Sequence, residues 1–359
     1  MQTKLVYVLT CAPEATYIEQ ALISIWSARY HNPDAHIVLL VDDLTNQLLV
    51  GKRAEVLEYI TEKVVIPFED TNATMMYRSR WIKTQVRQLI KGDFLFIDCD
   101  TITQRSLGDI DDLDCEVGAV LESHLPVCEF NDSLYQGAKE LNAKIGVDID
   151  AEQLYFSSGV LLVKGTKKTY KLYELWHQFW KEGHKQGLKI DQPALAKANR
   201  EVGHIIGQIP DTYNCILFTR PIFIREAYIL HIAAYQNPSF LFTDRVLKYV
   251  RENGIGNEWL QKMILNPCAT MMPFDYCLKN SSCKELRVWR RELADAWKGY
   301  GENIDAAYTD FPMRSRVRRM ITYLLKHRCI RLAMYMSILW QRTHLQYTKS
   351  IIKPNMCAK

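Results

Sequence analysis

Two carboxylates stand one residue apart directly after an apolar run: Asp98 and Asp100 follow Phe94-Leu95-Phe96-Ile97. A run without alternation predicts a strand buried on both faces, so that both carboxylates emerge at its carboxyl end. Ligands bind at that edge of open α/β sheets, and paired carboxylates suit a divalent cation that also contacts a phosphate. The alternative is that the two aspartates only cap a turn or a helix start. Asp148-Ile149-Asp150 has the same spacing without a buried strand before it, which favours the first pair as metal ligands.

The segments before this strand alternate between strand and helix patterns. Apolar runs predict strands at residues 5–9, 36–41 and 64–66, and helical spacing predicts helices at residues 18–31, 48–60 and 75–90. This alternation predicts an α/β fold with a mostly parallel central sheet, right-handed crossovers and helices on both faces.

After Asp100 the pattern continues with two further predicted strands, at residues 117–121 and 155–163. A helix that contains Trp176 and Trp180 follows, and its aromatic stripe is more typical of core packing than of a cofactor site. Asp191-Gln192-Pro193 predicts the start of another helix, because proline is tolerated in the first turn.

Five segments match, in order, the motifs of one enzyme family. They are Asp98-Cys99-Asp100, the strand Tyr155-Phe156-Ser157-Ser158-Gly159-Val160-Leu161-Leu162, Asp191-Gln192, Tyr213-Asn214 and Leu230-His231. Over residues 4–240 the chain therefore resembles the retaining glycosyltransferases of GT-A fold that include bacterial lipopolysaccharide galactosyltransferases and glycogenin. The resemblance implies a catalytic domain at residues 1–250, and helical sequence patterns beyond it predict a helical C-terminal region at residues 251–359.

The resemblance also implies a reaction. A sugar would move with retention from a nucleotide diphosphate sugar, expected to be a UDP-sugar, to the hydroxyl of a glycan or lipid-linked glycan in bacterial surface-glycan or lipopolysaccharide synthesis. Asp98, Asp100 and His231 would bind one Mn²⁺ or Mg²⁺, and the imidazole favours Mn²⁺ because Mg²⁺ prefers oxygen ligands. The alternative for His231, which lies between two apolar residues, is a hydrogen-bonded place in the core.

The same resemblance implies the residues around the donor. Asp191 and Gln192 are the catalytic candidates, expected at the reacting anomeric carbon. The implied donor-binding residues are Thr10, Cys11, Lys83, Asp98, Ser157, Ser158 and Gly159. Arg80 or Arg87 would replace Lys83 as the donor-contacting cation, unless all three only form a solvated basic face.

The chain departs from the family pattern at three positions. Ser157 stands where the family has asparagine, Ala234 where it has glycine, and Asn237 where it has the lysine that binds the diphosphate. The candidates for a replacement cation are Lys83, Arg220 and Arg225.

The basic residues are concentrated at the C-terminal end of the chain. Residues 311–359 contain eleven Lys or Arg and no Asp or Glu, whereas the remainder has 34 basic and 41 acidic side chains. Basic and large apolar residues alternate from Met320 to Trp340, which predicts an amphipathic helix on an anionic membrane surface. The alternative is a helix docked on the acidic remainder, and a nucleic-acid partner is not expected.

Cysteine usage and hydropathy predict the compartment. The ten cysteines include no C-x-x-C pair, which favours reduced thiols in the cytosol. The apolar run Leu5–Leu9 is shorter than the core of a signal peptide, and no stretch reaches the roughly 18 apolar residues of a membrane span. We therefore expect a cytoplasmic protein, peripheral on the inner face of the cytoplasmic membrane.

Two other functional classes fit parts of this sequence. A sugar nucleotidyltransferase has a similar sheet but needs a glycine-rich phosphate loop after the first strand, and Cys11-Ala12-Pro13-Glu14 has no glycine. A non-catalytic module that binds sugar nucleotides at a membrane would explain Asn237 in place of the lysine. Turnover of a donor in the presence of Mn²⁺ would separate this non-catalytic module from the enzymes.

Overall fold

Short apolar runs form the strands of two sheets. The computed structural model describes residues 1–70, 72–130, 132–149, 154–217, 226–232 and 239–267. Within these ranges the strands are β1 (Lys4–Leu9), β2 (Ile37–Asp42), β3 (Glu62–Ile66), β4 (Phe94–Ile97), β5 (Thr101–Thr103), β6 (Val117–Ala119), β7 (Val160–Val163), β8 (Ile206–Gln208), β9 (Cys215–Ile216) and β10 (Ile229–His231).

Helices occupy most of the connections. They are α1 (Tyr17–His31), α2 (Asp43–Leu48), α3 (Met75–Lys83), α4 (Val86–Leu89), α5 (Asp132–Ala143), α6 (Lys167–Lys185), α7 (Gln192–Glu201), α8 (Asp244–Asn253) and α9 (Glu258–Leu265). Proline in the first turn of α7 occurs as predicted from the sequence.

The central sheet has seven strands in the order β3-β2-β1-β4-β7-β6-β8. Every pairing is parallel except the two that β7 makes with its neighbours β4 and β6. The second sheet has the order β5-β10-β9. The predicted α/β fold with a mostly parallel sheet is therefore confirmed.

Apolar residues cover both faces of the central sheet. Leu95 and Ile97 of β4 belong to a core that α1, α8 and α9 cover, whereas Phe94 and Phe96 belong to a second core. Helices α3, α4, α6 and α7 cover that second core. Strand residues alternate between the two cores because successive side chains point to opposite faces.

The aromatic stripe of α6 lies in the second core, as predicted. Trp176 and Trp180 are at most 1% exposed, and Trp176 Nε1 donates a hydrogen bond to the carbonyl of Asp191 at 2.9 Å. Burial of the indole therefore also fixes the backbone at the start of α7.

Two predicted helices are wrong in extent. The helix predicted at residues 48–60 is instead the end of α2 followed by a 3-10 helix at Gly51–Glu58. Asp42 caps the start of α2, and Gly51 turns the chain at φ 57°. The helix predicted at residues 75–90 is divided into α3 and α4. The Thr84 hydroxyl donates to the carbonyl of Arg80 at 2.8 Å, and such side-chain bonds compete with the helical pattern.

The strand predicted at residues 155–163 is also shorter, because only Val160–Val163 joins the sheet. Phe156 makes an isolated bridge with Leu121. Residues 157–159 therefore precede the strand and lie next to the carboxyl end of β4.

Helices α8 and α9 pack on the same core as α1, and an ion-pair cluster adds to this contact. Glu19 of α1 is 1% exposed and accepts from Arg53 at 2.7 Å and from Arg251 of α8 at 3.0 Å. Both guanidinium groups also donate to the carbonyl of Ala15, in the loop after β1. The described structure is thus continuous across residue 250, and the domain boundary there stays a prediction.

The basic segment at residues 311–359 lies outside the described residues. In the described part of the chain, no helix is long and apolar enough to cross a membrane.

His177 of α6 is expected to make the fold sensitive to acid. Burial, with a contribution from Lys181, lowers its pKa from 6.5 to about 4. The unfolded chain therefore binds this proton more readily, so stability should fall as pH decreases from about 6.5 to 4. Melting temperatures at pH 7 and pH 5 should differ less in His177→Gln, whose side chain can still bond to Thr84. An equal difference in both proteins would contradict this prediction.

Candidate active site

Asp98, Asp100 and His231, here called the metal-site cluster, meet at the carboxyl end of β4. Each offers one ligand atom, and these atoms all lie within 4.8 Å of one another. The pairing of the second sheet brings them together, because β10 is antiparallel to β5 with His231 opposite Thr101. The N–H of Ile232 also donates to the carbonyl of Asp100 at 2.8 Å.

Hydrogen bonds determine which nitrogen of His231 is free to bind a metal. Nδ1 lies 3.0 Å from Oδ1 of Asn214, whose amide nitrogen faces the Ser157 hydroxyl at 3.4 Å. An amide oxygen can only accept, so Nδ1 carries the proton, and in the neutral ring Nε2 keeps its lone pair. Nε2 lies 3.3 Å from Asp100 Oδ1, inside the cluster. The donor set therefore fits a divalent cation held by two carboxylates and one imidazole.

Electrostatics in the cluster favour bound positive charge. Burial raises the pKa of Asp98, Lys83 opposes this shift, and Asp100 adds to it. Burial acts to lower the pKa of His231, but Asp100 and Asp98 outweigh burial and raise it. Burial is thus the main cause of the shift at Asp98, and the two carboxylates are the cause of the shift at His231.

Lys83 lies beneath the cluster as a buried cation. Its side chain is 3% exposed, and Nζ lies 3.3 Å from both Asp98 oxygens, 3.3 Å from Ser158 Oγ and 3.7 Å from Asp191 Oδ2. Lys83 therefore joins a predicted metal ligand to a predicted catalytic carboxylate. Direct donor contact by Lys83 stays a prediction.

Asp191, the residue before α7, lies between two cations. Arg80 Nε is 3.0 Å from Asp191 Oδ1, on the side opposite to the Lys83 contact through Oδ2. Burial would raise the pKa of Asp191, but Lys83 and Arg80 outweigh it and lower that pKa. Oδ2 is buried and makes no hydrogen bond to the described residues. Arg80 keeps 30% of its side chain exposed, against 3% for Lys83, although its Nε atom is buried.

Gln192 is oriented by two hydrogen-bond acceptors. Nε2 donates at 2.8 Å to Glu122 Oε2 and at 2.8 Å to the carbonyl of Phe156. Glu122 did not stand out in the sequence, where one carboxylate after the strand at residues 117–121 carries no distinctive signal.

Gly159 provides the space in which His231 lies. A Cβ added at this position would be 2.3 Å from His231 Cε1, 2.7 Å from its Nδ1 and 3.2 Å from Asp98 Oδ2. The Gly159 carbonyl also accepts from the N–H of Asp98 at 2.9 Å. Glycine is required here because backbone and imidazole approach so closely.

Thr10 and Cys11 lie at the end of β1, where the sequence predicts contact with the nucleotide. The Thr10 hydroxyl donates to the carbonyl of Met75 at 2.9 Å, and the Cys11 N–H donates to Thr45 Oγ1 at 2.7 Å. These bonds tie the loop after β1 to α2 and α3. Contact with the donor stays a prediction.

Arg87 is a buried structural residue, so it is no longer a candidate for the cation that contacts the donor. It is fully buried, donates to the carbonyl of Gly92 at 2.7 Å, and packs on the rings of Phe94 and Tyr170. The other departures and candidate cations, Arg220, Arg225, Ala234 and Asn237, lie outside the described residues.

Gly159→Ala is expected to impair metal binding without unfolding the protein. The new methyl group must displace the imidazole of His231, so Mn²⁺ affinity measured by calorimetry should fall by at least about 10-fold. Gly137→Ala is the matched control, since Gly137 lies in α5 with no atom within 4 Å of the added Cβ. That control should keep Mn²⁺ affinity and gain up to about 1 kcal/mol of stability. Equal Mn²⁺ affinity in both variants would contradict the assignment.

Comparison with known proteins gives structural likeness only. No protein-family model and no curated protein sequence matches the chain. The bifunctional glycosyltransferase WbbM is similar at 14% identity and a TM-score of 0.46 over 73% of this chain, which spans about half (51%) of the WbbM chain. The galactosyltransferase LgtC, solved with donor and acceptor sugar analogues, is similar at 14% identity and a TM-score of 0.45, over 81% of this chain and 100% of that one. Glycosyltransferase GlyE of Streptococcus pneumoniae is similar at 19% identity and a TM-score of 0.45, over 74% of this chain and 63% of the GlyE chain. At these identities and TM-scores the likeness assigns no function.

Proposed function

We propose that this protein is a metal-dependent glycosyltransferase that moves a sugar from a nucleotide diphosphate sugar to an acceptor hydroxyl. The observation that carries the proposal is the metal-site cluster, in which Asn214 fixes the ligating tautomer of His231. The cluster lies at the carboxyl end of the parallel strands, where α/β proteins bind nucleotides. The sequence motifs that flank it support the same reaction.

The chain's own residues would position the donor. Asp98, Asp100 and His231 would hold a divalent cation, with Mn²⁺ favoured by the imidazole. When bound, this cation would stabilise the negative charge on the departing nucleoside diphosphate. Lys83 keeps Asp98 and Asp191 in fixed relative positions, and the partly exposed side chain of Arg80 would contact an anionic substrate.

Asp191 and Gln192 are the groups that we place at the anomeric carbon. Arg80 and Lys83 lower the pKa of Asp191, so this carboxylate stays ionised and stabilises positive charge on the sugar ring. Ser157 and Ser158 would line the sugar pocket, with Thr10 and Cys11 on the nucleotide side. We propose a UDP-sugar donor and transfer with retention, in bacterial surface-glycan or lipopolysaccharide synthesis.

A nucleotide-sugar screen tests this function directly. Each donor is incubated with Mn²⁺, with Mg²⁺ or with a chelator, and release of nucleoside diphosphate is measured with and without sugar acceptors. We expect one UDP-sugar to be consumed in a metal-dependent way, and NMR of the product to show the donor's anomeric configuration. Binding of donors without turnover would support the non-catalytic module. Release of pyrophosphate from a nucleoside triphosphate and a sugar phosphate would support the nucleotidyltransferase.

Asp100→Asn should abolish transfer while leaving the melting temperature nearly unchanged. Asp100 is the cleaner test of the two aspartates, because Asp98 also neutralises the buried Lys83. His231→Ala should weaken Mn²⁺ dependence by about 10–100-fold. Asp148→Asn, at an exposed aspartate outside the cluster, is the control and should keep full activity. Full activity of Asp100→Asn at saturating donor would refute the metal site.

We further propose that the basic segment at residues 311–359 binds an anionic membrane surface and keeps a cytoplasmic enzyme near lipid-linked acceptors. Each Lys or Arg near such a surface contributes about 1 kcal/mol, and salt screens this attraction. The intact protein should sediment with phosphatidylserine vesicles at low salt and dissociate at roughly 0.5 M salt. Replacing Arg316, Arg318 and Arg319 by glutamine should weaken sedimentation but spare transfer to a soluble acceptor. No sedimentation at low salt would refute the proposal.

A further inference from the structure

We infer that Glu122 is a positioning residue that makes Gln192 present its carbonyl oxygen, and not its amide nitrogen, to the reacting sugar. This inference rests on the proposed glycosyltransferase function. The observation behind it is the pair of hydrogen bonds that Gln192 donates to Glu122 and to the carbonyl of Phe156.

The chemistry of these partners decides the orientation of the amide. A carboxylate and a backbone carbonyl can only accept, so the NH₂ group of Gln192 must face both of them. The Oε1 atom of Gln192 has no hydrogen-bond partner among the described residues and is not among their buried orphaned atoms. The electron-rich end of the side chain is therefore the free and accessible end. It is the end that stabilises positive charge at an anomeric carbon.

Both acceptors belong to one paired segment. Leu121 and Phe156 form a β-bridge, and the N–H of Glu122 donates to the carbonyl of Tyr155 at 2.7 Å. The two acceptors, the Glu122 carboxylate and the Phe156 carbonyl, thus come from adjacent segments that fix each other. This arrangement resists rotation of the amide.

The turn after Glu122 is strained and held by its own contacts. Ser123 and His124 have φ of 57° and 56°, a left-handed conformation that is costly for residues with a Cβ. The buried His124 ring accepts from the N–H of Ile216 at 3.0 Å and donates through Nδ1 to Asp211 at 2.9 Å. Neighbouring elements therefore maintain a turn that directs the Glu122 carboxylate to Gln192.

A simpler interpretation is that the Glu122–Gln192 bond only attaches the start of α7 to the sheet. That interpretation predicts a loss of stability in Glu122 variants without a separate effect on catalysis. Positioning predicts instead that kcat falls while binding of the metal and nucleotide is kept, because among the described residues Glu122 forms no hydrogen bond or ion pair with the metal-site cluster or with Lys83.

The test compares Glu122→Ala, Glu122→Gln and the control Glu129→Ala, an exposed glutamate seven residues further on. We expect Glu122→Ala to lower kcat about 10–100-fold, the scale of a misplaced catalytic group, with KM for the donor changed less than about twofold. Glu122→Gln should recover most of this loss, since its carbonyl can accept the same hydrogen bond. Calorimetry with Mn²⁺ and UDP should give equal affinities in all variants, and melting curves show whether each is folded.

Two outcomes would overturn the inference. A kcat of Glu122→Ala within about twofold of wild type would show that the bond does not matter for catalysis. Equal inactivity of the Ala and Gln variants would show that the carboxylate itself acts on a substrate.

A second measurement separates this inference from the proposed function. With ¹⁵N-glutamine labelling, the side-chain NH₂ signals of Gln192, assigned by their absence in Gln192→Glu, should exchange slowly with water and become fast in Glu122→Ala. If wild type transfers no sugar but shows this protection, the proposed function fails and the orientation of the amide stands. Fast exchange in the wild type would refute the orientation whatever the activity.

Discussion

A single buried ammonium group organises this site. Lys83 is almost fully removed from water, and a buried charge is tolerated only when opposite charges and hydrogen bonds compensate for lost hydration. Asp98, Asp191 and Ser158 supply that compensation from three separate parts of the chain. Loss of either carboxylate would leave part of this charge uncompensated, so α3, the end of β4 and the start of α7 are held in one arrangement before a substrate arrives.

The reversal of one strand explains how distant segments meet at this point. Because β7 is antiparallel to β4, the residues that precede β7 lie beside those that follow β4, and Gly159 bonds directly to Asp98. Asn214 and His231 reach the same place through the small sheet. Backbone pairing thus fixes the positions of these polar groups. Polar groups that are already in place need to move little when charge develops on a substrate during a reaction.

Much of this arrangement could be predicted from the sequence. Uninterrupted apolar runs predicted the strands, and the position of Asp98 and Asp100 after β4 identified them as candidate metal ligands. Long-range contacts could not be predicted in the same way: Asn214 selects the tautomer of His231 through a bond across 17 residues. The division of the helix at residues 75–90 depends on the Thr84 hydroxyl, whose choice of acceptor is not encoded in helical periodicity. The burial of Arg87 likewise follows from rings that close around it.

The contact between Glu19 and Arg251 has a consequence for the order in which the molecule is made. These residues are 232 positions apart, and Arg251 also donates to the carbonyl of Ala15 in the loop beside β1. During synthesis the first strand and its loop leave the ribosome long before the arginine that completes their support. Closing a longer loop costs only slightly more entropy, so the large sequence separation does not prevent this contact from forming. The contact must nevertheless form after most of the sheet has been synthesised. The loop after β1, next to the proposed nucleotide site, is therefore among the last described parts of the molecule to mature on a nascent chain.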